Sequence, residues 1–166
     1  MFIGRTQELK QLEDAYRQER NAAIVLYGRF GIGKTELAAL FAKDKPAVFY
    51  VARELSEQEQ RFCFAKELGV ATQNEVPSFY ECLKRVVSER EDKTKKAVVI
   101  IDEFHFLVKT SEEFKVAFFE AFNGRAVYVS VPKFFRELGR KYYGAGFRSG
   151  GKSNLWHGKI KGIYIP

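Results

Sequence analysis

The sequence predicts an α/β fold in which helices flank a mostly parallel β-sheet. Short runs that are apolar almost throughout and rich in branched residues recur along the chain, as is typical of strands buried on both faces of a parallel sheet. Segments with apolar residues at three- and four-residue spacing lie between these runs and predict helices. With 166 residues, 46% of them hydrophobic, the chain is long enough for one domain with a sizeable core. We therefore expect a single α/β domain over 1–166.

The predicted elements follow from these patterns and from their end signals. Ser56 with Glu59, and Ser78 with Glu81, form capping boxes, in which a serine and a glutamate satisfy each other's backbone amides at a helix start. Gly69 ends the first of the two helices that these boxes open. The predicted strands are 22–27, 47–52, 97–104, 126–131 and 159–166, and the other helices are 6–20 with Thr6 as cap, 34–43, 112–122 after Ser111, and a short helix after Pro132.

A glycine-rich loop follows the first predicted strand and precedes a strong helix former. The loop fits the phosphate-binding pattern G-x-x-x-x-G-K-[ST], with Lys34 placed for the β- and γ-phosphates of a nucleotide and Thr35 for Mg²⁺. Glycines let several backbone N–H groups point at phosphates, and the next helix adds the positive end of its dipole. A turn that only joins strand to helix is the alternative, and the Lys-Thr ending argues against it. The nucleotide-binding residues predicted here are Gly28, Arg29, Phe30, Gly31, Ile32, Gly33, Lys34, Thr35 and Glu36, of which Arg29, Phe30 and Ile32 fill variable positions.

Two acids end the third predicted strand. Asp102, at the carboxyl end of that strand, is placed to hold the hydration shell of Mg²⁺, so Thr35 and Asp102 are the predicted metal ligands. Glu103 can polarise an attacking water as a general base. A solvated pair of acids at a strand end is the alternative, but burying either carboxylate without a cation is expensive.

A third polar group is expected between the loop and the acids. Ser130, on the fourth predicted strand, can touch the γ-phosphate or the water if that strand lies between the first and the third, although serine is often simply tolerated in a strand. The catalytic candidates are therefore Glu103, Lys34 and Ser130. His105 follows the acids directly, and we expect it at a helix start or supporting the site and not in the chemistry.

The net charge of +7 is unevenly distributed. The stretch 122–166 holds nine Lys/Arg and one acid, a balance of +8, together with eight of the 13 glycines. Such a segment can contact nucleic acid or an acidic protein, or it can form a solvated rim around a nucleotide site that needs positive charge. Both interpretations stay open at this stage.

Two cysteines, Cys63 and Cys82, lie in helical patterns and not in a C-x-x-C pair, which favours thiols in a reducing compartment. No run of about 18 apolar residues predicts a membrane span, and the first residues lack the apolar stretch of a secretory signal. We expect a cytoplasmic protein with no membrane partner.

Three segments together resemble a known family. These are FIGRTQELKQLE (2–13), LYGRFGIGKTEL (26–37) and VVIIDEF (98–104), and they are similar to the archaeal ATPase family of the AAA+/STAND branch of P-loop NTPases. The resemblance implies a three-layer, ASCE/AAA+-like sandwich with a five-stranded sheet in the order 5-1-4-3-2. It also implies ATP rather than GTP, and places Phe2, Ile3, Gly4 and Arg5 near the adenine. The family's helical lid and C-terminal domains have no counterpart in 1–166, which we expect to be the core domain, completed by 122–166.

The leading functional hypothesis is a Mg²⁺-dependent ATPase whose hydrolysis of ATP drives a conformational cycle, in an assembly of identical chains. Glu103 favours it, because a protein that only binds nucleotide does not need that carboxylate. The alternative is a nucleotide-gated binding module with little hydrolysis, in which ATP alters contacts to nucleic acid or protein through the basic stretch. A nucleotide kinase also uses a phosphate loop, but the Asp-Glu pair and the opening F-x-G-R box resemble the ATPase branch.

Overall fold

A computed structural model describes residues 4–18, 22–72, 75–90, 95–114, 117, 126–131 and 160–166. In chain order its elements are α1 Thr6–Arg17, β1 Ala22–Gly28, α2 Lys34–Ala42, β2 Ala47–Val51, α3 Glu57–Glu67, α4 Phe79–Arg90, β3 Ala97–Asp102, α5 His105–Thr110, β4 Ala126–Val131 and β5 Ile160–Ile165. Within these ranges, no helix has the length and apolar character needed to cross a bilayer.

The strands form one parallel sheet. β1 pairs with β4 on one side and with β5 on the other, and β3 pairs with β4 and with β2. The strands therefore lie in the order β2-β3-β4-β1-β5. The predicted α/β class with a mostly parallel sheet is confirmed. Because the strands are parallel, their carboxyl ends meet at one edge of the sheet, where ligands bind in folds of this class.

Helices cover both faces of the sheet. Side chains alternate along each strand, so Ile24 of β1 faces one helical layer and Val25 faces the other. The first layer is made by α1 and α2, which contribute Leu12, Ala15, Leu37, Ala38 and Phe41 to the core. The second is made by α3, α4 and α5, which contribute Phe64, Ala65, Phe79, Cys82, Leu83, Val86, Leu107 and Val108.

Both predicted capping boxes are present. At α3 the Ser56 hydroxyl accepts the Glu59 N–H at 3.4 Å while the Glu59 carboxylate accepts the Ser56 N–H at 3.0 Å. Ser78 and Glu81 repeat the arrangement at α4, with distances of 3.2 and 2.9 Å. Gly69 ends α3 at φ 73°, where the left-handed conformation turns the chain away from the helix.

The first helix differs from its prediction at both ends. Thr6 lies inside α1 and does not cap it; Arg5 precedes the helix and makes no side-chain cap. The helix ends at Arg17 and not at residue 20, because Gln18 already has an extended backbone with ψ 144°. Ser111 does satisfy the Phe114 N–H through its hydroxyl at 2.9 Å, but most of the predicted helix 112–122, and the short helix after Pro132, lie outside the described residues.

Candidate functional site

The glycine loop and the acidic pair lie at the same edge of the sheet. The loop follows Gly28 at the end of β1, and Asp102 ends β3. One strand, β4, lies between them, with Ser130 in register with Val25 on one side and Ile101 on the other. Ser130 therefore stands on the strand that the sequence predicted for it, and its side chain lies outside the described part of the chain.

The loop depends on glycine at two positions for different reasons. Gly33, which immediately precedes α2, adopts φ 84°, a left-handed conformation that side chains disfavour. Gly28 has φ 151° and lies so close to β5 that a Cβ atom there would overlap the carbonyl oxygen of Ile165 and lie 2.7 Å from Ile32 Cδ1. No side chain caps the N-terminus of α2, so its first-turn N–H groups are available to an anion.

Lys34 is buried at the start of α2. Its ammonium group donates to the carbonyl oxygens of Gly28 at 3.3 Å and Arg29 at 2.7 Å, so it lies inside the turn of the loop. Burial lowers the pKa of Lys34, and the nearby carboxylates of Asp102 and Glu103 partly offset this by raising it. The lysine is thus positioned between the loop carbonyls and the two acids.

Thr35 and Asp102 are in direct contact although 67 residues separate them. The Thr35 hydroxyl donates to Asp102 Oδ2 at 2.7 Å, and Asp102 Oδ1 accepts the Glu103 N–H at 2.8 Å. A hydroxyl and a carboxylate are the hard oxygen ligands that Mg²⁺ takes, one or two at a time, together with phosphate oxygens and water. Among the described residues there is no group of three or more His, Cys, Asp and Glu that could enclose a metal ion.

Glu103 has an unusual backbone. Its φ of 50° lies in the left-handed region, which costs a side-chain-bearing residue roughly 1–3 kcal/mol. Two hydrogen bonds hold the conformation, since Glu103 N–H donates to Asp102 and Glu103 C=O accepts the Phe106 N–H at 3.0 Å. Its Oε2 lies 3.3 Å from Nδ1 of His105, at ion-pair distance though not aligned as a hydrogen bond. His105 begins α5, which confirms the helix start predicted for it.

The N-terminal box is described from Gly4 onward, so the predicted sites at Phe2 and Ile3 lie outside the described residues. Arg5 reaches the loop: its Nη2 donates to the carbonyl oxygen of Ile32 at 3.3 Å. Around the loop, the side chains at the remaining predicted positions, Arg29, Phe30 and Glu36, are exposed.

Two contacts of this region had no counterpart in the sequence patterns. The end of β5 lies against Gly28, and Arg5 bonds to Pro166 as well as to the loop, with Nη2 donating to the Pro166 carbonyl at 2.9 Å. The alternation of 159–166 predicted a strand, and the family resemblance implied a place for it beside the first strand, but neither predicted its contact with Gly28.

The family described as an ATPase domain predominantly from Archaea matches residues 2–127. The chain belongs to this family. This member of the family is also 31% identical, over 119 residues, to the uncharacterized protein MJECL04 of Methanocaldococcus jannaschii. The match covers 66% of the chain but 23% of that protein, so the chain spans about a quarter of this relative's length. The resemblance drawn from the three sequence segments is confirmed.

Solved structures share the fold of this ATPase-family chain. The Aeropyrum pernix ORC1 protein in complex with DNA matches with a TM-score of 0.67 at 19% identity, over 100% of this chain and 46% of that one. The A. pernix ORC2 protein, in ADPNP-ADP complexes, matches at 0.64 and 16%, over 99% and 48%. The Walker-type ATPase PABY2304 of Pyrococcus abyssi matches at 0.57 and 16%, over 98% and 54%. The chain spans about half the length of these proteins, and the likeness shows a P-loop ATPase-like α/β fold.

Proposed function

We propose that this archaeal ATPase-family chain binds ATP with Mg²⁺ and hydrolyses it to drive a conformational change. The observation that carries the proposal is the 2.7 Å hydrogen bond from Thr35 to Asp102. It joins the last residue of a phosphate-loop pattern (Walker A, 28–35) to the acid of a Walker B strand (98–103), at the edge where parallel sheets bind ligands. The nucleotides named for the A. pernix ORC2 complexes support the same ligand class.

Each site residue has a role in this proposal. Lys34 leaves the carbonyls of Gly28 and Arg29 to neutralise the β- and γ-phosphates, while the backbone of 28–36 surrounds them. Thr35 and Asp102 hold Mg²⁺, which when bound neutralises charge that develops on the phosphate oxygens. Glu103 accepts a proton from the attacking water. Ser130 contacts the γ-phosphate or that water from β4.

The remaining parts of the proposal extend this core. Phe2, Ile3, Gly4 and Arg5 flank the adenine, and residues 1–166 form one three-layer, ASCE/AAA+-like ATPase core that 122–166 completes, which the parallel order β2-β3-β4-β1-β5 supports. The chain works as an assembly of copies, and a basic side chain of the same or a neighbouring copy adds positive charge at the γ-phosphate. The free thiols of Cys63 and Cys82 support a reducing compartment, and we place the protein in the cytoplasm.

The test is Mg²⁺-ATP turnover by the purified chain beside E103Q and K34A, with ATP binding measured by calorimetry in parallel. Matched controls are E54Q, at an exposed acid, and K43A, at the exposed end of α2. We expect E103Q to bind ATP with turnover reduced at least about 100-fold, and K34A to lose binding, while both controls match the wild type. A wild type that binds ATP but turns it over no faster than E103Q would refute hydrolysis by this chain.

A second function is favoured by the charge of 122–166. With nine Lys/Arg against one acid, this stretch suits a nucleotide-gated module that binds nucleic acid or an acidic protein. The A. pernix ORC1 structure, which contains DNA, points to nucleic acid as the first partner to test. The measurement is duplex DNA affinity across a salt series, with and without ATP; a salt slope that ATP changes supports gating, and an affinity that ATP leaves unaltered contradicts it.

A further inference from the structure

Arg5 connects three separate parts of the chain. Through Nη2 it donates to the loop carbonyl of Ile32 and to the carbonyl of Pro166 after β5. Through Nη1 it lies 3.3 Å from the carboxylate of Glu8 on α1. Both charged side chains are largely withdrawn from solvent, at 19% and 11% exposed, so this ion pair is screened less than a surface pair. The guanidinium is therefore held in one position by its partners.

The loop and the end of β5, which carry the two carbonyls that Arg5 joins, are also packed closely against each other. Gly28, the first loop residue, is in register with Ile165 of β5, and a Cβ atom on it would overlap the Ile165 carbonyl. The same atom would lie 2.7 Å from the side chain of Ile32. Gly28, Ile32 and Ile165 thus touch with no spare room, and close-packed groups transmit displacement instead of absorbing it.

We propose that Arg5 is a positioning residue that couples nucleotide occupancy of the phosphate loop to the carboxyl end of β5. The inference rests on the proposed function. When Lys34 turns from the carbonyls of Gly28 and Arg29 towards phosphate, those two peptide units lose their bonds to it and the loop rearranges. Arg5 fixes the loop at Ile32 and the strand end at Pro166 with one nitrogen atom, so a movement of either is felt by the other.

Coupling of this kind is reciprocal. If nucleotide orders the segment 160–166, then any contact that orders this segment tightens nucleotide binding by the same factor. A change at the nucleotide site is therefore transmitted to residues 160–166, and a partner that binds the end of β5 would change nucleotide affinity without contacting the nucleotide.

The test is amide hydrogen exchange by mass spectrometry, on peptides that cover 160–166 and 34–42, with and without Mg²⁺-ADP at concentrations that saturate each variant. The variants are R5A and R5K, and E8Q, which keeps Arg5 but weakens its anchor. R17A is the matched control, since Arg17 is an exposed arginine at the last residue of α1, the helix that Arg5 precedes. In the wild type and R17A we expect ADP to slow exchange at least about fivefold in both peptides, the low end of usual couplings.

In R5A the α2 peptide keeps its response to ADP while the 160–166 peptide loses it, with R5K and E8Q between the extremes. Without nucleotide, R5A also speeds exchange of 160–166, which R17A does not. An R5A protein whose 160–166 peptide still responds to ADP like the wild type overturns the coupling. The coupling is also overturned if, in the wild type, ADP slows exchange in the α2 peptide but not in the 160–166 peptide. If ADP does not slow exchange in the wild-type α2 peptide, the proposed function is overturned together with the coupling.

Discussion

Replacing Gly28 by alanine tests how closely the glycine loop and β5 fit together. The new methyl group would overlap the Ile165 carbonyl and would lie 2.7 Å from Ile32 Cδ1, against 3.4–4 Å for an ordinary contact. The carbonyl belongs to the backbone of a paired strand, so it cannot rotate away as a side chain would. Loop and strand must therefore separate by more than half an ångström at this point.

The cost has two parts. Overpacking of this size costs about 1–3 kcal/mol, and the φ of 151° adds a further ~1 kcal/mol because it disfavours any residue with a Cβ. Gly31→Ala is the matched control, since Gly31 has φ 77° but nothing within 4 Å of its Cβ position, so only the backbone part of about 1 kcal/mol remains. We expect Gly28→Ala to lower the free energy of unfolding by about 2–4 kcal/mol, or the melting temperature by on the order of 10 °C.

The assay is unfolding in urea, monitored by circular dichroism. All proteins are compared with one common slope m, the dependence of the free energy of unfolding on urea concentration. Gly69→Ala, at φ 73° and outside the loop, provides a second control for the backbone part alone. If Gly28→Ala destabilises the protein no more than Gly31→Ala does, the contact between the loop and β5 is not tight, and the packing argument is wrong.

Three further predictions concern the metal, the core and pH. Thr35→Val keeps the shape of the side chain but removes the hydroxyl, so we expect calorimetry to show that Mg²⁺ no longer strengthens ADP binding to this variant, while it still does so for Thr35→Ser. If Mg²⁺ strengthens ADP binding equally in both variants, Thr35 is not a metal ligand. The buried Tyr50 hydroxyl donates to the side-chain oxygen of Gln60 at 2.6 Å, so Tyr50→Phe leaves that oxygen unsatisfied and should lower the free energy of unfolding in urea by about 1–3 kcal/mol. An unchanged free energy of unfolding would show that the oxygen finds another donor. Hydrogen bonds from the side chain and backbone of Ser56 lower the pKa of Glu59, so the contribution of this carboxylate to stability is full above its ordinary pKa and is lost as pH falls through the lowered value. In Ser56→Ala we therefore expect the melting temperature to fall less steeply between pH 6 and pH 2 than in the wild type, and an equal fall in both proteins would contradict this role of Glu59.

Much of this fold could be predicted because its signals are local. Buried parallel strands appear as unbroken apolar runs, and the box of Ser56 and Glu59 needs residues only three positions apart. The glycine loop is equally local, so its place between β1 and α2 follows from the pattern. Each of these features is determined within a few residues and is visible in the sequence.

The features that could not be predicted depend on contacts between distant segments. Thr6 was expected to cap α1, but Arg5 precedes the helix and directs its guanidinium to Ile32 and Pro166, 27 and 161 positions away. Sequence reasoning placed Thr35 and Asp102 around one metal ion, and a direct hydrogen bond between them emerges only from the register of the sheet. The left-handed backbone of Glu103 likewise has no local signature, because nothing in its residue type favours positive φ.

The conformation of Glu103 places stability and chemistry in conflict. A glycine at this position would adopt φ 50° without strain, and relief of that strain would stabilise the fold by about 1 kcal/mol while removing the proposed general base. A laboratory screen for heat resistance alone would therefore enrich variants that have discarded the carboxylate. On this proposal, natural selection retains the strained glutamate at position 103 only while turnover is under selection. Lineages of this family released from that demand should lose the acid at this position before they lose the glycine loop.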